Sequence, residues 1–507
     1  MGKRKIDETV KESQVSGKPS KVVKSTTKSS NSGSPAVTVQ IVTGSYERVL
    51  HGFTAGVPSS CLSSDETKES ASGDSVEFMD SFLFEAHASA IRCLALSPLP
   101  KKDSTEPPRV ILASGGTDER INLYSLSASP AAVNEQYPSV ATLIGNKVLE
   151  NPKNRELGSL LHHSSSISAL CFPSRSKFMA GAGDNTISVT KTRDWSVVSS
   201  IKAPRPKVQG RPSGDTAPPG DAPSGVNDFA VHPSMKLMLS VGRGEKCMRL
   251  WNLVTGKKAG VLNFSREMLQ GVKEGKWSTG EGRRILWNSK GDEFAVAFEW
   301  GAVVFGIDST PTCRIVPGPR SKIHQMKYVA LDPSAEDGEE LLAVSTEDGR
   351  VIFFSTKKLR ESEEEECSLP YGEAVAQLGG KPAGLPGRVK DFEILSLRDE
   401  SVARKDDFLV VTGNSDGIVR VWKLSGKDLT GQSKKKKGSK SKDENSSDVR
   451  QVGALLSTHE TNNRITCLKA FVMLAPEDPS TLEDSEGDDI SDDELSAESS
   501  SEESDAE

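Results

Sequence analysis

One spacing constrains this chain more than any other property: an acidic residue followed six positions later by a bulky one, seven times between Glu47 and Trp422. Glu47 precedes Phe53, Asp118 Tyr124, Asp184 Thr190, Glu245 Trp251, Glu299 Phe305, Asp348 Phe354 and Asp416 Trp422. Six of the seven partners are aromatic in a chain with only 5% aromatic residues, so composition alone does not produce the pattern. The surroundings repeat as well. An apolar run ends in small residues, the acid follows, and a second β-branched run begins; ILASGGTDERINLY (111–124) and LVVTGNSDGIVRVW (409–422) are the clearest copies. Short runs of this kind between Gly, Asp, Asn and Pro, without sustained helical periodicity, predict an all-β chain. Successive acids lie 49 to 71 residues apart, the length of a four-stranded unit extended by polar insertions.

The spacing has a physical reason. An acid in the tight turn between the second and third strands can accept backbone N–H groups and hold the turn. An aromatic on the third strand can pack between neighbouring units, where a large ring buries the most area. Fuller copies add a His before the first strand and a Ser or Thr four residues before the acid. His87, Ser114, Asp118 and Tyr124 fill every slot; His163 with Asp184 is a partial copy, and Thr43 and Thr412 hold the Ser/Thr slot in the first and last copies. Ser, His and Asp are also the members of a catalytic triad. The acid slot nevertheless recurs in every unit, and no H-E-x-x-H, G-x-S-x-G or P-loop pattern occurs. The acids are therefore read as turn anchors, with no catalytic residue, cofactor or metal site. The seven cysteines are scattered without C-x-x-C spacing, and Cys93, Cys171 and Cys467 lie in strand-like runs that suit reduced, buried packing.

The first copy (39–53) supplies only a second and a third strand. After the last copy comes QVGALLS (451–457), read as its outer strand, and then a surplus strand, RITCLKAFVML (464–474), which resembles the innermost strands IRCLALS (91–97) and ISALCF (167–172). The surplus strand is predicted to complete the first unit and remove the exposed sheet edges. Residues 37–475 are thus expected to form a seven-bladed WD40 β-propeller closed by 464–474. Strand alternation places insertions 54–80, 99–108, 126–155, 357–373 and 425–449 on one face and only 203–224 on the other. The less cluttered face, which carries the acid turns, is the first candidate for a partner surface.

The ends differ from the body. Residues 1–36 are rich in Lys, Ser and Thr, and 476–507 hold fifteen acidic residues and no Lys or Arg, so both are expected to be disordered. The net charge of −7 hides a body of 64 basic and 56 acidic side chains. Such a body with an acidic tail suits work near nucleic acid, where the tail competes with phosphate; equally, the tail serves solubility. Lys434, Lys435, Lys436, Lys437, Lys440 and Lys442 read as a nuclear-localisation or phosphate-contact element, against the plainer reading of a solvated loop. Ser485, Ser491, Ser499 and Ser500 each precede an acid by three residues and suit an acidophilic kinase. No apolar run approaches the roughly 18 residues that span a bilayer, and the N-terminus lacks a secretory h-region, so a soluble, intracellular protein is expected.

IVTGSYERVLHGF, FEAHASAIRCLALS, ELGSLLHHSSSISALCF, GRVKDFEIL with VVTGNSDGIVRVWKL, and NNRITCLKAF occur in this order. Together they resemble the p21-activated-kinase-interacting WD-repeat family, whose fungal members are large-subunit ribosome assembly factors of the maintenance-of-killer group. The resemblance spans about 38–475. It implies a non-catalytic scaffold in the nucleus and nucleolus, with pre-60S assembly factors, ribosomal proteins and pre-rRNA phosphates as partners. It also implies an alternative role, restraining p21-activated kinase by direct binding, with no membrane or small-molecule partner in either case.

Overall fold

A computed structural model of the chain describes residues 37–63, 76–100, 108–131, 140–141, 147–206, 224–275, 278–332, 338–361, 367–383, 385, 387–401, 403–430 and 449–475. The basic and acidic ends, the lysines at 434–442 and the four tail serines lie outside them.

Seven four-stranded antiparallel blades account for nearly all of the described chain. From inner to outer strand, blade 1 comprises Ile465–Val472, Val37–Ser45, Val49–Val57 and Glu77–Glu85, and blade 2 Ile91–Leu96, Arg109–Gly116, Ile121–Ser127 and Arg155–Leu160. Blade 3 is Ile167–Ser174, Lys177–Ala182, Thr186–Lys191 and Val197–Lys202; blade 4 is Val226–Val231, Leu237–Gly242, Cys247–Asn252 and Lys257–Asn263. Blade 5 is Arg284–Trp287, Glu293–Ala297, Ala302–Gly306 and Pro311–Ile315; blade 6 is Ile323–Ala330, Glu340–Thr346, Arg350–Arg360 and Tyr371–Gly379. Blade 7 is Val389–Ser396, Asp407–Asn414, Ile418–Ser425 and Ala454–Glu460. The inner strands touch one another in a closed cycle, with Ile465–Val472 between those of blades 7 and 2. This is a seven-bladed β-propeller. Its clasp is the antiparallel pairing of Val39 with Val472 through Gly44 with Cys467.

The core is divided the same way. Seven apolar clusters occupy the seven interfaces between blades, and six contain one of the spaced aromatics: Phe53, Tyr124, Trp251, Phe305, Phe354 and Trp422. The seventh interface, between blades 2 and 3, has Thr190 on the corresponding strand. Phe172, Phe178 and Trp195 supply its rings instead. The outer strand of blade 7 is Ala454–Glu460, three residues later than QVGALLS (451–457) suggests, because Arg450–Gln451 leaves to pair in parallel with the outer strand of blade 6. The insertion edges also contract, since Thr54–Val57, Glu77–Asp80 and Lys357–Arg360 belong to strands.

The acid-turn face carries more chain than the insertion lengths suggest. Residues 264–275 and 278–283 lie there between blades 4 and 5 and include the helix Arg266–Gly271, capped by the Ser265 hydroxyl accepting the Met268 N–H; most of the 203–224 insertion lies outside the described residues. The segment is mostly polar, but its few large apolar residues are spaced to reach the core. Its Phe264, Met268, Leu269 and Val272 are part of the core between blades 4 and 5.

A candidate docking face at the channel mouth

The acid turns do not all work alike. In blade 2, Asp118 accepts the Ala88 N–H at 2.9 Å and faces the His87 Nδ1 at 3.0 Å, and the His87 Nε2 meets the Ser114 Oγ at 2.8 Å. The connectivity is that of a Ser–His–Asp triad. Ser114 is 0% exposed, so no substrate carbonyl can approach its hydroxyl, and the set acts as a pin across the turn. Blade 3 builds a variant in which His163 meets Asp184 at 3.1 Å and Ser188 of the third strand at 2.9 Å. Burial opposes ionisation of Asp184, but bonds from His163 and Thr186 outweigh it and hold the carboxyl well below the usual range. Glu47 accepts the Arg464 N–H at 2.8 Å and Asp416 the Ile418 N–H at 3.2 Å.

The other three acids depart from the anchor role expected of them. Glu245 turns to the Arg249 guanidinium, and the adjacent Gly244 N–H goes to Glu281 at 2.6 Å. Asp348 pairs with Arg350. Glu299 leaves its own turn to meet Lys322 at 2.8 Å and Arg283 at 3.2 Å; the Glu299 and Trp300 N–H groups are taken by Glu274 from the 264–283 segment, at 2.8 and 3.2 Å. All three lack a His partner, as do Glu47 and Asp416, which still take a turn N–H; what the three share beyond that is a close cation. With no imidazole to hold the carboxylate inside, a nearby cation draws it away from the turn.

Around the channel these turns surround a second, unannounced ring. Six of the seven inner strands shift register at the same level, so that one extra residue bulges out near the strand start: Arg92, Ser168, Asn227, His324, Lys390 and Thr466. A bulge re-aims the side chain it carries. Blade 5 lacks it and has Arg284 at that level. Arg283, Arg388 and Arg464 lie one or two residues earlier in their blades, at the same end of the channel. Among the described residues, Arg92, Lys390 and Arg464 have no carboxylate within ion-pair distance, whereas Arg388 meets Glu347 at 3.2 Å. The positive surroundings register on the neighbouring groups. Burial, reinforced by Lys390, Arg388, Arg283 and Arg284, pushes the His324 imidazole down to about 4, and burial with Arg388 lowers Lys390. Two rings flank the mouth, Tyr46 exposed and Trp300 half-buried: Arg464 lies over Tyr46 at 5.6 Å and Arg320 over Trp300 at 4.1 Å. Cations focused at the rim of a low-dielectric channel attract an anionic partner.

The opposite face offers a different surface. Where blades 3 and 4 have short connections, a groove of about 570 Å³ opens, lined by Met179, Val198, Ile201, Val231, Leu253 and Val254. Cys93, Cys313 and Cys467 are buried and Cys171 half-buried; all seven are free thiols, and burial pushes Cys171, Cys313 and Cys467 up to about 12.

The family model for the WD domain, G-beta repeat, matches residues 154–190, which run from the outer strand of blade 2 to the third strand of blade 3. The chain is similar to Protein MAK11 of Saccharomyces cerevisiae, 27% identical over 410 residues that cover 77% of this chain and 78% of that protein. It is 24% identical to the p21-activated protein kinase-interacting protein 1-like of Danio rerio over 388 residues, 76% of this chain and 74% of the other. It is 23% identical to the Shk1 kinase-binding protein 15 of Schizosaccharomyces pombe over 406 residues, 80% of each.

Proposed function

The chain is a WD-repeat propeller of the p21-activated-kinase-interacting family, and from that premise we propose that it is a non-catalytic scaffold of large ribosomal subunit assembly, bound to precursor 60S particles in the nucleolus. The observation that carries the reading is the cationic channel mouth, where Arg92, Lys390 and Arg464 stand, among the described residues, without carboxylate partners on the acid-turn face. A precursor particle presents phosphate in quantity, and a group of cations on a rigid scaffold binds phosphate without reading sequence. Lys434 to Lys437, Lys440 and Lys442 add nuclear import or further phosphate contacts in this reading, and phosphorylation at Ser485, Ser491, Ser499 and Ser500 deepens the charge of the tail. The test is gradient sedimentation of the tagged protein with and without ribonuclease. Migration with particles heavier than the free protein, lost on ribonuclease treatment or in high salt, is expected; sedimentation only as free protein overturns the proposal.

A second reading is favoured by the names of the Danio rerio and Schizosaccharomyces pombe relatives: direct binding and restraint of a p21-activated kinase. The apolar groove between blades 3 and 4 suits a peptide segment of a kinase better than it suits phosphate. Retention on a kinase bait that survives ribonuclease and 0.5 M salt (about that strength screens surface charge to within a few ångströms) supports this reading over the first.

A further inference from the structure

Where the last blade meets the first, three side chains from three strands converge in the interior: His51 on the third strand of blade 1, Asp80 on its outer strand, and His459 on the outer strand of blade 7. All three are buried, at 4%, 8% and 7% exposure. The His51 Nε2 lies 2.9 Å from the Asp80 Oδ1 and the His459 Nε2 lies 3.6 Å from the same oxygen, with one donor atom of each residue within 4.8 Å of the others. Phe53 and Phe78 wall the cluster, their ring centroids 4.4 and 4.9 Å from that of His459. The His459 Nε2 is buried, directed at Asp80 and without a hydrogen-bond partner. A buried nitrogen of this kind costs stability unless something satisfies it.

We propose that His51, Asp80 and His459 form a divalent metal site that staples the closure of the ring, with zinc as the ion it takes. Two imidazole nitrogens and one carboxylate oxygen are a donor set for zinc and its neighbours, and a poor one for calcium or magnesium, which take oxygen. Zinc bonds of about 2.0–2.1 Å at tetrahedral angles put donor atoms roughly 3.3–3.4 Å apart, and the two separations from Asp80 bracket that distance. The third, between the two imidazoles, lies within 4.8 Å. Coordination through Nε2 takes each imidazole as its Nδ1–H tautomer, any proton on Nε2 moving to Nδ1 or leaving to solvent as the ion binds, and the carboxylate contributes the negative charge. A water completes the fourth position. The ion joins the outer strand of blade 7 to blade 1 on the outside of the seam, while the pairing of Ile465–Val472 with Val37–Ser45 joins the ends on the inside.

The test uses the full chain, stripped with chelator and titrated with Co²⁺ as a spectroscopic stand-in for Zn²⁺. Expected are a visible absorption band saturating at one equivalent, its displacement by Zn²⁺, and a melting temperature that rises with Zn²⁺. His459→Gln and Asp80→Asn, each checked by circular dichroism, are expected to weaken binding by more than about tenfold and to abolish the shift in melting temperature; two variants guard against one failing to fold. Absence of a stoichiometric Co²⁺ band in the wild-type chain overturns the site, as does a band that both folded variants retain.

Discussion

Blades 2 and 5 present the same pair, an acid in the turn and an aromatic six residues on, and hold their turns by opposite means. In blade 2 the carboxylate of Asp118 is drawn inward by His87 and takes a backbone N–H of the preceding loop, so turn, His and Ser114 form one buried unit. In blade 5 there is no His. Glu299 swings out to Lys322 and Arg283, and Glu274, supplied by another segment, takes over the turn N–H groups. The segment carrying Glu274 is itself held by the fully buried Arg314, whose guanidinium donates to the Gly271 carbonyl at 2.9 Å and lies over the Tyr371 ring at 3.8 Å. The repeat therefore specifies where a turn occurs, not which side chain secures it. A blade without the internal His–Asp pin holds its turn through charged groups nearer the surface, as Glu299 does with Lys322 and Arg283 in blade 5.

The strongest way to break this comparison is to remove the two anchors in turn. Glu274→Ala leaves two turn N–H groups unpaired and is expected to cost about 2–3 kcal/mol, and His87→Ala, which leaves Ser114 and Asp118 unpaired in the interior, about 1–3 kcal/mol, both by urea unfolding. If Glu299 were the real anchor of blade 5, Glu299→Ala would match them. Its ion pairs are partly exposed, so a loss under about 1 kcal/mol is expected.

A smaller effect separates the blades by pH. His324 is held down to about 4, so the folded chain keeps it neutral while the unfolded chain protonates it near 6.5. Between those values the unfolded state binds the extra proton, and stability falls as pH falls from about 6.5 towards 4. His324→Gln is expected to lose less stability than wild type between pH 7 and pH 5, measured by urea midpoints. Asp184 acts lower on the scale. Its depressed folded pKa contributes stability above about 4, the unfolded carboxylate value, that disappears as pH falls further, and Asp184→Asn is expected to flatten that acid limb.

The propeller was legible because its signals are local: acid, six-residue step, aromatic and β-branched runs all lie within one hairpin. Glu274 was not, since it reaches the turn from a segment 25 residues away that resembles no other copy. The mouth escaped for a related reason. Its residues sit one per blade, and only the common register shift reveals that Ile91-Arg92-Cys93, Ile323-His324-Gln325 and Val389-Lys390-Asp391 place their middle residues at one level. An apolar–polar–small or polar triplet at the start of each inner strand was the available signal, visible once the strands are aligned. His51 and His459 stand at opposite ends of the chain, and nothing local joins them.

The most direct measurement compares the salt dependence of binding to purified precursor large-subunit particles for wild type and for a variant carrying Arg388→Ala, Lys390→Ala and Arg464→Ala. The cationic mouth predicts binding at least about tenfold weaker, with a shallower slope of log affinity against log salt because fewer counterions are released. Equal affinity and slope for the two proteins would contradict a docking face at the channel mouth.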